Sequence, residues 1–140
     1  MKIKILAVGK LKESAYQNRI REYVKWINRD IPVELIFLKD NDKVNKKLLA
    51  HIDTKVHTIC LSEEGEKRSS KDFSKLLFSR NLDHTFILGG PDGIPKYIKE
   101  KTSEIFSLSG LTFPHEMALL ILAEQLYRAV SIEKGRNYHR

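Results

Sequence analysis

The sequence predicts an α/β protein, built on a mainly parallel sheet flanked by helices. Two observations carry this. Short β-rich apolar runs alternate with runs of helical period along the whole chain, the pattern of consecutive strand-helix units that lay parallel strands side by side. The chain's 140 residues are 41% apolar, enough to bury a core without disulfides or metal. No repeat, low-complexity tract or linker divides the chain, so residues 1–140 read as one domain.

The first strand is Ile3–Val8, ended by Gly9, and residues 15–27 then space Tyr16, Ile20, Tyr23, Val24 and Ile27 with helical period. Pro32 opens a second strand, Val33–Leu38, and residues 44–52 read as a short helix with Leu48, Leu49 and Ile52 on one face. A third strand over residues 56–61 leads into SEEGEKRSS, read as a loop. Ser69 or Ser70 caps a helix over residues 72–80, whose apolar face is Phe73, Leu76 and Leu77. A fourth strand, residues 85–88, runs into GGPDG; a helix over residues 95–103 and a fifth strand within IFSLS follow. The last helix spans residues 114–134, opened by Pro114 and stopped by Gly135.

The chain has 25 Lys and Arg against 18 Asp and Glu, a net charge of +7 that draws polyanions. The single Cys60 cannot form an internal disulfide, and its apolar setting VHTICL reads as a buried strand thiol in a reducing compartment. No targeting segment is visible and the longest apolar run, residues 117–123, is too short to span a bilayer, so a soluble cytoplasmic protein is expected, without membrane or metal partners.

In such sheets ligands bind beyond the carboxyl ends of the strands, which directs attention to the loops after strands three, four and five. In ILGGPDG, Pro91 and Asp92 fit the middle of a β-turn, and Gly89 and Gly90 leave bare backbone for a flat ligand. No GK[ST] follows and the G-x-G-x-x-G spacing is missing, so neither a P-loop nor a dinucleotide fingerprint is present. Residues 108–113, LSGLTF, offer successive backbone donors and acceptors beside the small Ser109 and Gly110. Leu108, Leu111 and Phe113 give apolar cover there, a combination suited to an adenine edge.

The final helix is apolar on more than one side, through Met117, Leu119, Leu120, Ile121, Leu122, Leu126, Val130 and Ile132. One face reads as core and the second asks for a partner subunit, so a homodimer is expected. Glu124 and Arg128 stand four apart and can pair on one face. The tail EKGRNYHR reads either as a solvated flexible end or as a set of RNA contacts, its Arg136 and Arg140 for phosphate and its Tyr138 and His139 for an unstacked base.

GGPDG, SLSGLTFPH, EQLYRA and a terminal YHR resemble, in order and spacing, the ribosomal RNA large subunit methyltransferase H family of the SPOUT superfamily. AVGKLKE and TICLSEEGEKRSS extend the likeness over nearly the whole chain. The resemblance implies a trefoil-knotted α/β methyltransferase. It implies a homodimer that moves the methyl of S-adenosylmethionine to N3 of a pseudouridine in large-subunit (23S) ribosomal RNA on the assembled ribosome. Carried over by position, the cofactor contacts fall on Leu61, Gly89, Leu108, Ser109, Gly110, Leu111, Thr112 and Phe113. His115, Arg128, Tyr138 and His139 match positions associated with catalysis and substrate, with Glu124 in support. The chain departs from the family pattern at Leu119, where an Arg is expected, and in a short segment between the second and third strands. The alternatives are another SPOUT-type RNA base or ribose methyltransferase and, in a different class, a non-catalytic basic RNA-binding module.

Overall fold

The computed structural model describes residues 1–140 and contains one five-stranded sheet, ordered β2-β1-β4-β3-β5. The strands are β1 (Ile3–Val8), β2 (Val33–Leu38), β3 (His57–Lys67), β4 (His84–Leu88) and β5 (Glu104–Ser107). Every pairing is parallel. Between them run α1 (Ser14–Asn28), α2 (Val44–Ala50), α3 (Ser70–Phe78) and α4 (Lys96–Lys99), and α5 (His115–Glu133) ends the fold.

Alternation along the strands sends side chains to two cores. Ile3, Ile5 and Ala7 pack with α1, α3 and α5 through Ile20, Phe73, Leu77, Leu122 and Leu126, while Leu6 and Val8 face α2 and α4 through Leu48 and Ile98. A parallel sheet covered on both faces needs strands apolar on both sides, which is why β4 is buried at every position. Ser69 caps α3 by accepting the Asp72 N–H at 3.1 Å.

Three elements differ from the sequence reading. The segment SEEGEKRSS is mostly strand: β3 runs on to Lys67, and after an irregularity Glu66 and Lys67 pair again with Phe106 and Ser107. Its polar residues suggested a loop, but Gly65 lets the backbone pass so close to β5 that a Cβ there would lie 2.7 Å from the Ile105 carbonyl. The helix expected over residues 95–103 is a single turn, because Ser103 donates its N–H to Thr58 O at 2.8 Å and its hydroxyl accepts from Thr58 N–H at 2.9 Å. Those two bonds draw the chain into the sheet. On α5, Leu119 and Leu122 lie in the chain's own core at 1% and 0% exposure. They do not form the apolar surface expected to require a partner, and at Leu119 an Arg would be buried rather than presented to RNA.

The starts of β3, β4 and β5 carry a buried polar chain that no sequence pattern announced. His84 Nε2 donates to Leu77 O at 3.0 Å, His57 and His84 meet through Nδ1 at 3.1 Å, and His57 Nε2 lies 2.9 Å from Glu104 Oε2. Arg68 adds an ion pair to Glu104 at 3.3 Å. Burial holds His84 below its ordinary pKa.

Candidate functional site

The carboxyl ends of β3, β4 and β5 open into a cavity of about 750 Å³. Its walls are the 61–64 segment of β3, the turn after β4 from Gly89 to Ile94, and the 107–113 stretch leading into α5. Of the positions expected to hold a cofactor, Leu61, Gly89, Leu108, Ser109, Leu111, Thr112 and Phe113 line it, and so does His115. Gly110 does not; it faces outward beside Lys67, whose Nζ would lie 3.1 Å from a Cβ at that position.

Local hydrogen bonding shows why the 107–113 stretch suits a ligand. Ser107 Oγ donates to Ser109 O at 2.7 Å and Leu111 N–H donates to Ser109 Oγ at 3.0 Å, so short side chains fold the loop onto itself. The N–H groups of Leu108, Ser109, Gly110, Thr112 and Phe113 then find no acceptor in the chain. Leu111 lines the cavity and is 71% exposed, apolar cover at its edge. Backbone donors left open beside apolar cover match the edge and faces of a purine. Gly89 serves the wall differently from the expectation: a Cβ there would meet Gly93 C at 2.8 Å and Ile94 N at 3.0 Å, so the glycine closes the turn rather than clearing ligand space.

His115 opens α5 at the cavity's rim, and its Nε2 is buried without a hydrogen-bond partner. The adjacent Glu116 accepts the backbone N–H groups of Lys12 and Glu13 through Oε1, the latter at 3.2 Å, which fastens the segment after β1 to the start of α5. On the opposite wall Lys99 Nζ pairs with Glu64 Oε1 at 2.6 Å and reaches Ser62 Oγ at 3.1 Å. The Lys99 bond, together with a hydrogen bond that Ser62 Oγ donates to Glu64 Oε2, holds the Glu64 carboxyl down to about 2. Sequence reading pointed to the loop after strand three but missed Ser62, Glu64 and Lys99, whose pairing depends on a contact between β3 and α4 that no local pattern records.

Arg128, Tyr138 and His139 stand outside the cavity lining, gathered around Glu124 of α5. Arg128 is forked on Glu124 Oε1 through Nε at 2.9 Å and Nη2 at 2.6 Å, and its Nη1 donates to His139 Nδ1 at 3.0 Å. The Tyr138 hydroxyl donates to Glu124 Oε1 at 3.0 Å and lies 3.4 Å from the Tyr23 hydroxyl. Burial, then these two partners, push the Tyr138 phenol well above its usual range. The tail is therefore tied down, not flexible. Arg136 also pairs with Asp30 at 2.7 Å. Cys60 is fully buried, and desolvation raises its thiol to about 11. No group of three or more His, Cys, Asp or Glu side chains is placed to hold a metal ion, and no helix is long and apolar enough to cross a membrane.

A family model described as "Predicted SPOUT methyltransferase" matches residues 1–139. The chain belongs to the SPOUT methyltransferase family. It is similar to proteins named ribosomal RNA large subunit methyltransferase H. The one from Prochlorococcus marinus strain SARG is 43% identical, over 99% of this chain and 96% of the relative. That of Dictyoglomus thermophilum is 38% identical over 99% of both chains. Solved structures share the fold at low identity. A methylase-family protein of Haemophilus influenzae Rd KW20 superposes with a TM-score of 0.62 at 10% identity, covering 99% of this chain and 70% of that one. A Legionella pneumophila methyltransferase, solved with its cofactor SAM bound, superposes with a TM-score of 0.50 at 12% identity, covering 92% of this chain and 66% of that one.

Proposed function

We propose that this SPOUT methyltransferase uses S-adenosylmethionine to methylate N3 of a pseudouridine in large-subunit ribosomal RNA, acting on the assembled ribosome. The observation that carries the reading is the 108–113 loop, with open backbone N–H groups on one side of a large cavity and the His115 imidazole at its rim. The names of relatives 36–43% identical over essentially the full chain support the RNA substrate.

The residues present fit the cofactor: unsatisfied N–H donors at Leu108, Ser109, Thr112 and Phe113 would hold the adenine edge, and Leu61, Leu108 and Leu111 would cover its faces. When bound, the cofactor supplies a methyl on a sulfonium, which leaves by in-line displacement, so most of the catalysis is alignment. His115 is the imidazole in the cavity lining and, on this reading, would accept the imide proton of a uracil-type ring. His139 takes another role. Guanidinium cannot accept a hydrogen bond, so Arg128 donates to a bare His139 Nδ1, which in the neutral ring leaves the proton on Nε2 as a donor. Arg128, held by Glu124, positions the tail and is only partly free to favour a substrate anion.

The deciding experiment maps modified nucleotides on ribosomes from cells with and without the gene. Loss of one N3-methylated pseudouridine in the large subunit is the expected result. Unchanged modification at every such site would remove the proposal.

A further inference from the structure

On the far side of the β1 carboxyl end lies a second groove of about 330 Å³, separate from the cofactor cavity. Leu35 and Phe37 of β2 make its floor, Gln17 and Arg21 of α1 one wall, and Lys10 the other. Phe37 is 41% exposed, an aromatic ring left open on an edge strand. Sheet alternation puts it on the α1 face with Val33 and Leu35, and while Val33 is buried against that face Phe37 is left open.

The groove's polar groups are as specific as its floor. The chain's ion pairs involve Arg19, His57, Arg68, Lys96, Lys99, Arg128 and Arg136, so Lys10 and Arg21 stand without a carboxylate within 4.0 Å. No acidic side chain lines the groove, and Asp40, near in sequence, turns toward Gly90. Gln17 Nε2 is committed to Leu11 O at 2.8 Å, which leaves its Oε1 as an open acceptor.

We propose that this groove holds an unstacked nucleotide of the RNA substrate, its base against Phe37 and its phosphates on Lys10 and Arg21. The inference rests on the reading of the enzyme as an RNA methyltransferase. Two cations and an exposed aromatic are what single-stranded RNA requires, since every base offers a π-face and every linkage an anion. A base N–H would meet Gln17 Oε1. The groove also adjoins the reaction site: Gly9 sits against His115, whose Nε2 would be 3.7 Å from a Cβ there, and Lys10 follows directly. One strand can therefore run from groove to cavity across the Gly9 to Lys10 backbone.

The test measures fluorescence anisotropy of a labelled single-stranded oligouridine with the full-length protein, and S-adenosylmethionine affinity by calorimetry on the same samples. Phe37→Ala should weaken oligouridine binding about tenfold, and Phe37→Trp should restore it, because stacking and not side-chain identity is at stake. The double variant Lys10→Gln with Arg21→Gln should flatten the slope of log affinity against log salt by about 1.4, two single-strand phosphate contacts. Cofactor affinity should be unchanged in all of them. If Phe37→Ala also loses cofactor affinity, its fold is disturbed, and Phe37→Trp and the charge variant decide. Unaltered RNA affinity and slope, no binding by the wild-type chain, or a change of sedimenting mass with Phe37→Ala in place of RNA affinity would each overturn the groove. The last would make it an interface between copies. Failure of the ribosome mapping with the Phe37 dependence intact would instead leave the groove standing and overturn only the substrate.

Discussion

Arg128 donates through Nη1 to Nδ1 of His139 at 3.0 Å, joining the last helix to the penultimate residue of the chain. Glu124 completes the unit by accepting from both Arg128 and Tyr138, and the Tyr138 ring stands edge-on to Tyr127 at 4.7 Å with Arg128 over its face at 4.9 Å. An end tied by a guanidinium hydrogen bond to His139, a phenol hydrogen bond from Tyr138 and an aromatic contact is ordered before any RNA arrives.

Removal of residues 137–140 should therefore lower stability as well as activity. The lost aromatic contact and hydrogen bond together cost about 2 kcal/mol, visible as a lower melting temperature. Methyl transfer to ribosomes should fall steeply while calorimetric cofactor affinity holds, because none of these residues lines the cavity. A truncated chain of unchanged melting temperature would show that the tail is not tethered in solution.

The cofactor cavity makes a cleaner prediction at Leu111 than at any glycine. Leu111 lines the cavity and is 71% exposed, so Leu111→Ala removes ligand cover without opening the core. Losing most of one leucine's contact should weaken S-adenosylmethionine about tenfold with the melting temperature unmoved. Gly89→Val is the poorer test, since its Cβ strikes the backbone of Gly93 and Ile94 and would disturb the turn itself.

Glu64 gives the pH dependence. Lys99 and Ser62 lower its carboxyl from 4.5 to about 2, so the folded state binds fewer protons than the unfolded one between those values. The stabilisation is complete above about pH 4.5 and is lost as pH falls toward 2. Glu64 is 57% exposed, which keeps the effect small and sensitive to salt. Acid unfolding of Glu64→Gln should show a shallower loss in that window than the parent, and identical slopes would count against the pair.

How much of this was legible in the sequence follows from the range of each interaction. β1, β2 and α1 were readable because period and local turn residues define them, and the cavity loops could be found because a parallel sheet fixes which ends carry sites. The extension of β3 was hidden because its residues are polar and its pairing is with β5, some forty positions on. The His57, His84, Glu104 chain and the Lys99 to Glu64 pair were hidden for the same reason. The order of the tail was hidden because its ties are distant in sequence: Tyr138 donates to Glu124, fourteen residues upstream, and Arg136 pairs with Asp30, 106 residues upstream.

A homodimer would rest on different residues of α5 from Leu119 and Leu122. Leu119 and Leu122 belong to the core, yet Met117, Leu120 and Ile121 remain only partly buried, in the stripe of α5 that continues into Glu124 and Arg128. Apolar groups left half open along one helical stripe lose solvent contact most readily against a second copy, whose matching stripe is apolar at the same height. Light scattering should return twice the chain mass of 16.2 kDa at micromolar concentration. Ile121→Lys places a charge on that stripe without entering the core, so it should yield a folded monomer with the parent's circular dichroism. A variant that stays dimeric would move the interface off α5, and a wild-type chain that runs as a monomer would leave the stripe to the ribosome.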